Sequence, residues 1–197
     1  MTKLLLIIFA KNPELGKVKT RLSATVGNQK ALAIYHTLLS HTCKITQPLN
    51  CEKAVFYSGY IDNEDIWDNT IYQKHTQEGD DLGIRMFNAF QKGFDMGYEK
   101  VSIIGTDNLE ITAEIIMRSF DVLEVKDIAV GPAKDGGYYL LSMKKNHDSF
   151  FKNKQWSTSS VFENTLSDIK ALHLSYEVLP ALHDIDTEED WNKRLSK

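Results

Sequence analysis

Residues 3–9 (KLLLIIF) form a continuous apolar run between a lysine and a proline-containing turn, the pattern of a strand covered on both faces. Beyond a polar loop, Ala31, Ile34, Tyr35, Leu38 and Leu39 recur at i, i+3, i+4, i+7 and i+8, which predicts an amphipathic helix over 28–42. A strand at Ala54–Tyr57, a helix carrying Phe87, Phe90 and Phe94, a strand at Val101–Ile104, a helix over about 112–123 and a strand at Ile128–Val130 continue the alternation. Short apolar strands separated by helices predict an α/β fold: a three-layer α/β/α arrangement on a mostly parallel sheet, with right-handed crossovers. The stretch 136–143 (GGYYLLSM) follows the last of these strands too closely for a helical crossover, so an antiparallel insertion is expected there. Ser160 followed by Glu163 reads as a capping box, and Thr187 ahead of Glu188, Glu189 and Asp190 as a helix cap with acids in the first turn. No repeat, proline-rich linker or charge block divides the sequence, so one domain is expected over 1–197.

Composition adds mainly exclusions. With 42% hydrophobic, 25% charged and 10% aromatic residues among 197, the chain has globular proportions and is neither disordered nor fibrous. Its net charge, 23 minus 27, is −4, so no overall basic footprint points to nucleic acid as a partner. Cys43 and Cys51 form no CxxC pair and have no histidine at zinc-finger spacing, which suits reduced thiols in a cytoplasmic protein. The run Leu4–Ala10 is far too short for a membrane span, and Lys11 and Pro13 follow it where a signal peptidase needs small residues.

Against that acidic background, the loop after the first strand concentrates Lys11, Lys17, Lys19 and Arg21, with Asn12-Pro13 and Gly16 as turn residues. Glycine lets backbone amides approach a ligand, and phosphate benefits from both amides and cations, although a solvated basic loop has the same composition. The order of residues is not that of a P-loop or a GxGxxG motif. Asp107 directly follows the strand Val101–Ile104 and its Gly-Thr, a place from which a carboxylate reaches a ligand crevice; a cap on the next helix by Thr106 or Asp107 is the alternative. Asp184 and Asp186, one residue apart in an extended segment, point to one side. Their hard oxygens suit Mg²⁺ or Mn²⁺, which take one or two protein carboxylates and complete their shell with water and phosphate. Basic loop and divalent metal together suit a nucleoside diphosphate or triphosphate. The six histidines show no HExxH or nucleophile-pair pattern.

The landmarks Phe9-Ala10-Lys11-Asn12-Pro13, Val18-Lys19-Thr20-Arg21-Leu22, Asp81-Leu82-Gly83, Gly105-Thr106-Asp107, Asp135-Gly136-Gly137-Tyr138 and Asp184-Ile185-Asp186-Thr187 give the chain a resemblance, over nearly its whole length, to the DUF2064 glycosyltransferase family of the nucleotide-diphospho-sugar transferase superfamily. The resemblance implies a GT-A fold and a metal-dependent glycosyltransferase that moves a sugar from a nucleotide-sugar donor to a small acceptor. It places Lys11, Lys19 and Arg21 on the phosphates, beside Gly16 from the loop's own chemistry, Asp107 and Asp186 on the metal with Asp184 as a further candidate, and base and ribose along 77–81, which makes Gln77 and Asp81 nucleotide-binding candidates. Asp135 falls on the acceptor side as a general base or sugar ligand, so Asp135 and Asp107 are the catalytic candidates. A nucleotidyltransferase that releases pyrophosphate would use the same cations and metal, and a nucleotide-binding protein without turnover would keep the fold. The chain departs from the family pattern at Asn108-Leu109-Glu110, where Cys-Pro-Asp is usual, and at Asp80, where a glycine is usual.

Overall fold

The structure, a computed structural model, describes residues 2–195. Strand β1 (Leu4–Ala10) leads through α1 (Thr20–Val26) and α2 (Asn28–Thr46) to β2 (Glu52–Tyr57). A loop without regular structure connects β2 to β3 (Tyr72–Thr76), and α3 (Leu82–Asp95) leads on to β4 (Lys100–Ile104). Helix α4 (Ala113–Val125) precedes the hairpin of β5 (Ile128–Pro132) and β6 (Tyr138–Met143); α5 (Val161–Ala171), β7 (Tyr176–Val178) and α6 (Glu188–Leu195) follow. Among the described residues seven strands form one sheet in the order β3-β2-β1-β4-β6-β5-β7.

All pairings are parallel except those of β6, which runs antiparallel to β4 on one side and β5 on the other. The expected antiparallel insertion is thus a strand in the body of the sheet. Side chains of β1 alternate between two cores: Leu6, Ile8 and Ala10 face α1, α2 and α4, while Leu5 and Ile7 face α3 and α5. This alternation makes three layers of the chain. Ser102 and Ser142 are buried between β4 and β6, and satisfy each other through a 2.7 Å hydroxyl hydrogen bond.

Two details differ from the sequence expectation. Ser160 precedes α5 but has helical backbone angles, and its hydroxyl pairs with Thr158 rather than capping, so no capping box forms. Before α6, by contrast, the Thr187 hydroxyl accepts from Asp190 N at 3.2 Å while the Asp190 carboxylate accepts from Thr187 N at 2.8 Å, the reciprocal cap that the acids suggested.

Successive crossovers from β1 run toward β2 and β3, whereas β4 lies on the opposite side of β1. The loops leaving β1 and β4 therefore part in opposite directions at the carboxyl edge, which opens a crevice between them.

Candidate active site

That crevice is a cleft of about 720 Å³ at the carboxyl ends of β1, β2 and β4. The loop after β1 is fixed before it reaches the cleft. Asn12 is buried, and its side chain accepts from Gly59 N at 3.0 Å and Tyr60 N at 3.2 Å while donating to Tyr60 O at 2.9 Å. The Tyr35 hydroxyl, from α2, accepts from Lys11 N at 2.8 Å. Burial pushes this hydroxyl up to about 12, so it stays protonated and able to donate, with Lys11 O and Thr106 Oγ1 in reach. Gly16 takes φ +77° in the turn at 14–17 and does not line the cleft; Lys17 pairs with Glu14 on the surface.

Lys19, Asp107 and Asp186 meet inside the cleft. The Lys19 ammonium lies 2.8 Å from Asp107 Oδ1 and 3.0 Å from Asp186 Oδ1, with its side chain only 5% exposed. Burial alone pulls such an ammonium down, but the two carboxylates outweigh it and hold the Lys19 pKa above the ordinary lysine value. Arg21 approaches Asp186 Oδ2 at 3.9 Å from the exposed side. Asp107 caps no helix: Thr112 does that for α4, accepting from Ile115 N, and this leaves the Asp107 carboxylate to the cleft.

A backbone bond from Ile185 N to Asp107 O, 2.8 Å, and a bridge between Asn108 and Asp184 hold the 184–186 segment antiparallel to the end of β4. Asn108 is buried at the centre of this junction. Its amide donates to Asp184 Oδ1 at 2.9 Å, and its oxygen accepts from Glu110 N and Ile111 N at 2.7 and 2.9 Å. Burial pushes the Asp184 carboxyl up to about 7, opposed by the Asn108 hydrogen bond and assisted by the charges of Asp107 and Asp135.

Opposite, Asp135 projects from the β5–β6 turn, exposed, with Oδ1 accepting from Gly137 N at 2.9 Å. Gly136 has φ +93°, and a Cβ there would lie 2.1 Å from Ser159 O, so only glycine lets this turn close onto the chain before α5. Gln77 lies beside β1 and β2, its amide donating to Phe56 O at 2.9 Å and Ala10 O at 3.4 Å. Asp81 lines the cleft and caps α3, accepting from Ile84 N at 2.8 Å.

The structure therefore gathers Lys11, Lys19, Arg21, Gln77, Asp81, Asp107, Asp135, Asp184 and Asp186 around one cleft and leaves Gly16 outside it. Sequence reasoning missed Tyr35 and Asn12, read only as a helix-face residue and a turn residue, and Asn108, noticed only as a departure. Asn108 carried a signal in its position directly after Asp107, since Asn and Asp make side-chain turns with the amides two residues on.

Among the described residues no group of three or more His, Cys, Asp and Glu side chains is arranged to hold a metal by itself. Asp107 and Asp186, 46% and 34% exposed, offer two hard carboxylates, the protein share that Mg²⁺ or Mn²⁺ takes when phosphate and water fill the remaining positions. The donor set fits a cation that arrives with a phosphate ligand.

A sequence model of DUF2064, described as an uncharacterized protein conserved in bacteria, matches residues 41–158. None of the curated proteins matches the chain. The crystal structure of a candidate nucleotide-diphospho-sugar transferase from Desulfovibrio desulfuricans G20 is similar at TM-score 0.89 and 32% identity, covering 98% of this chain and 86% of that one. 4-Diphosphocytidyl-2C-methyl-D-erythritol synthase from Anaerococcus prevotii is similar at TM-score 0.57 and 13% identity over 100% and 97% of the two chains. The manganese complex of Rv0371C from Mycobacterium tuberculosis H37Rv is similar at TM-score 0.57 and 11% identity over 100% of both. The last two likenesses concern the fold alone.

Proposed function

The chain belongs to the DUF2064 family, and from that premise we propose that it is a transferase of nucleotide-linked substrates, a glycosyltransferase that moves a sugar from a nucleotide-diphospho-sugar to a small acceptor. The observation that carries this reading is the convergence, in one cleft at the carboxyl edge of the sheet, of the cations Lys11, Lys19 and Arg21 with the carboxylates Asp107 and Asp186.

In this reading the diphosphate lies across Lys11 and Arg21 and takes the remaining N–H of Lys19, while base and ribose extend past Ala10 toward Gln77 and Asp81. The acceptor hydroxyl approaches from the side of Asp135. Asp135 removes its proton as it attacks the anomeric carbon, the bond from that carbon to the phosphate oxygen breaks, and the nucleoside diphosphate leaves with the electron pair. Charge developing on the leaving diphosphate meets Lys11, Lys19 and Arg21, groups already in place before the reaction. Asp107 and Asp186 would hold Mg²⁺ or Mn²⁺, and a bound ion would supply additional neutralisation of the leaving group.

Product analysis tests the reading. Incubation with a panel of nucleotide-sugars and sugar or alcohol acceptors in Mg²⁺ or Mn²⁺ is expected to release a nucleoside diphosphate. Release of pyrophosphate from a nucleoside triphosphate instead would replace glycosyl transfer with nucleotidyl transfer on the same groups.

A further inference from the structure

The bridge that Lys19 makes between Asp107 and Asp186 is the least expected contact in the cleft, because an ammonium lies between the two carboxylates best suited to a divalent cation. We propose that Lys19 is an internal counter-ion that keeps a divalent cation off the Asp107–Asp186 pair until a diphosphate enters the cleft, so that cation and diphosphate bind only together. The inference rests on the reading of this cleft as a diphosphate and cation site.

Two carboxylates alone would present two negative charges to a cation. With Lys19 between them the pair presents one, and a divalent ion approaching Asp107 Oδ1 or Asp186 Oδ1 meets the ammonium that already holds both atoms at 2.8 and 3.0 Å. Water cannot screen that repulsion well, since the Lys19 side chain is 5% exposed. The ammonium is also confined: its backbone sits at the start of α1 with φ 47°, a conformation few non-glycine residues adopt, and Val18 and Leu22 on either side of it are buried in the core beneath the loop. Arg21 adds a second cation 3.9 Å from Asp186 Oδ2.

A diphosphate reverses these relations. An ammonium has three donors, and among the described residues Lys19 directs two of them at Asp107 and Asp186. Phosphate oxygens at the third give the charge a new partner, Lys11 and Arg21 hold the same diphosphate from the mouth of the cleft, and the carboxylate oxygens become free to share the incoming cation with the phosphates. Lys19 then sets the composition of the bound complex, and a cation at cellular concentration does not occupy the cleft on its own.

Equilibrium dialysis of the full chain against Mn²⁺ tests this, with protein-bound metal counted as the excess over a protein-free compartment, in the absence and presence of inorganic pyrophosphate. Wild type is expected to bind Mn²⁺ at least about tenfold more tightly with pyrophosphate than without it. Lys19→Met is expected to gain at least about tenfold in affinity for Mn²⁺ alone and to lose most of the response to pyrophosphate. Lys19→Gln, which keeps a hydrogen-bond donor without the charge, is expected to move the same way and stands in if Lys19→Met does not fold. Asp107→Asn is expected to remove the binding in every condition, which assigns the bound metal to this cleft. Wild type binding Mn²⁺ alone as tightly as with pyrophosphate, or Lys19→Met binding it no better than wild type, would overturn the proposal while leaving the diphosphate and cation reading in place. Absence of bound Mn²⁺ from wild type even with pyrophosphate would overturn that reading and the proposal with it.

Discussion

The three cations of the first loop that line the cleft have three different environments, and their consequences differ accordingly. Among the described residues, Lys11 is exposed at the cleft with only its backbone engaged, by Tyr35; Arg21 is exposed and near Asp186; Lys19 is buried between two carboxylates. Removal of Lys11 therefore disturbs no internal contact of its side chain. Lys11→Ala is expected to weaken nucleotide binding by about 1.5–3 kcal/mol, the worth of a charge-assisted hydrogen bond, with the melting temperature of the free protein unchanged. Isothermal titration with a nucleoside diphosphate checks this, and an unaltered affinity would return Lys11 to an ordinary surface lysine. Asp107 has no capping duty, because Thr112 serves α4. Asp107→Asn should accordingly lower turnover at least about a hundredfold, while costing about 1 kcal/mol of stability or less in urea titration, since asparagine can still accept from Lys19 and the position is half-exposed.

Among elements, those with strong apolar periodicity were legible in the sequence: β1, α2, β4, α4 and the β5–β6 insertion stand where the pattern predicts them. Strand β3 (YQKHT) was not, because an edge strand with a half-exposed face shows neither a continuous apolar run nor clean alternation. Strand β7 has three residues and α1 seven, too short for any period to register. The site was legible in part for a similar reason. Charges at strand ends can be read along the chain, but the Lys19 bridge joins positions 167 residues apart, and no local pattern encodes such a contact. The β5–β6 turn shows an element depending on a single residue, for Gly136 combines φ +93° with contact against Ser159. Gly136→Ala is expected to destabilise the protein by at least about 1 kcal/mol and to displace Asp135, so chemical denaturation should register a loss of stability even with no ligand present.

At the scale of the whole molecule, one sheet carries Lys11 and Asp107, the groups proposed for phosphate and metal, at the ends of β1 and β4 and Asp135, proposed for the acceptor, on the β5–β6 turn, so the geometry of the cleft follows from global folding. No helix among the described residues is long and apolar enough to cross a membrane. Global stability should also carry the signature of His75, packed against Phe56 in β2 with its Nε2 buried and, among the described residues, without a hydrogen-bond partner. Burial, and then the charge of Lys92, hold its pKa below the ordinary value of 6.5. The unfolded chain thus takes up a proton at His75 before the folded one does, so this residue's contribution is fully present above pH 6.5 and is lost as pH falls from there toward the lowered folded value. His75→Phe is expected to flatten the decline in unfolding free energy between pH 7 and 5, and an unchanged slope would show that His75 does not set it.

The claim on which the rest depends is that this cleft binds a nucleotide diphosphate together with a divalent cation, and thermal unfolding against nucleotide-sugars, diphosphates and triphosphates, each with and without Mg²⁺ or Mn²⁺, tests it most directly. A ligand present at about 100 times its dissociation constant stabilises the folded chain by about 2.7 kcal/mol. At least one nucleotide-sugar and its diphosphate are expected to raise the melting temperature, more with the cation than without it, and Lys11→Ala is expected to reduce the shift. No shift with any of these compounds in either metal would contradict it.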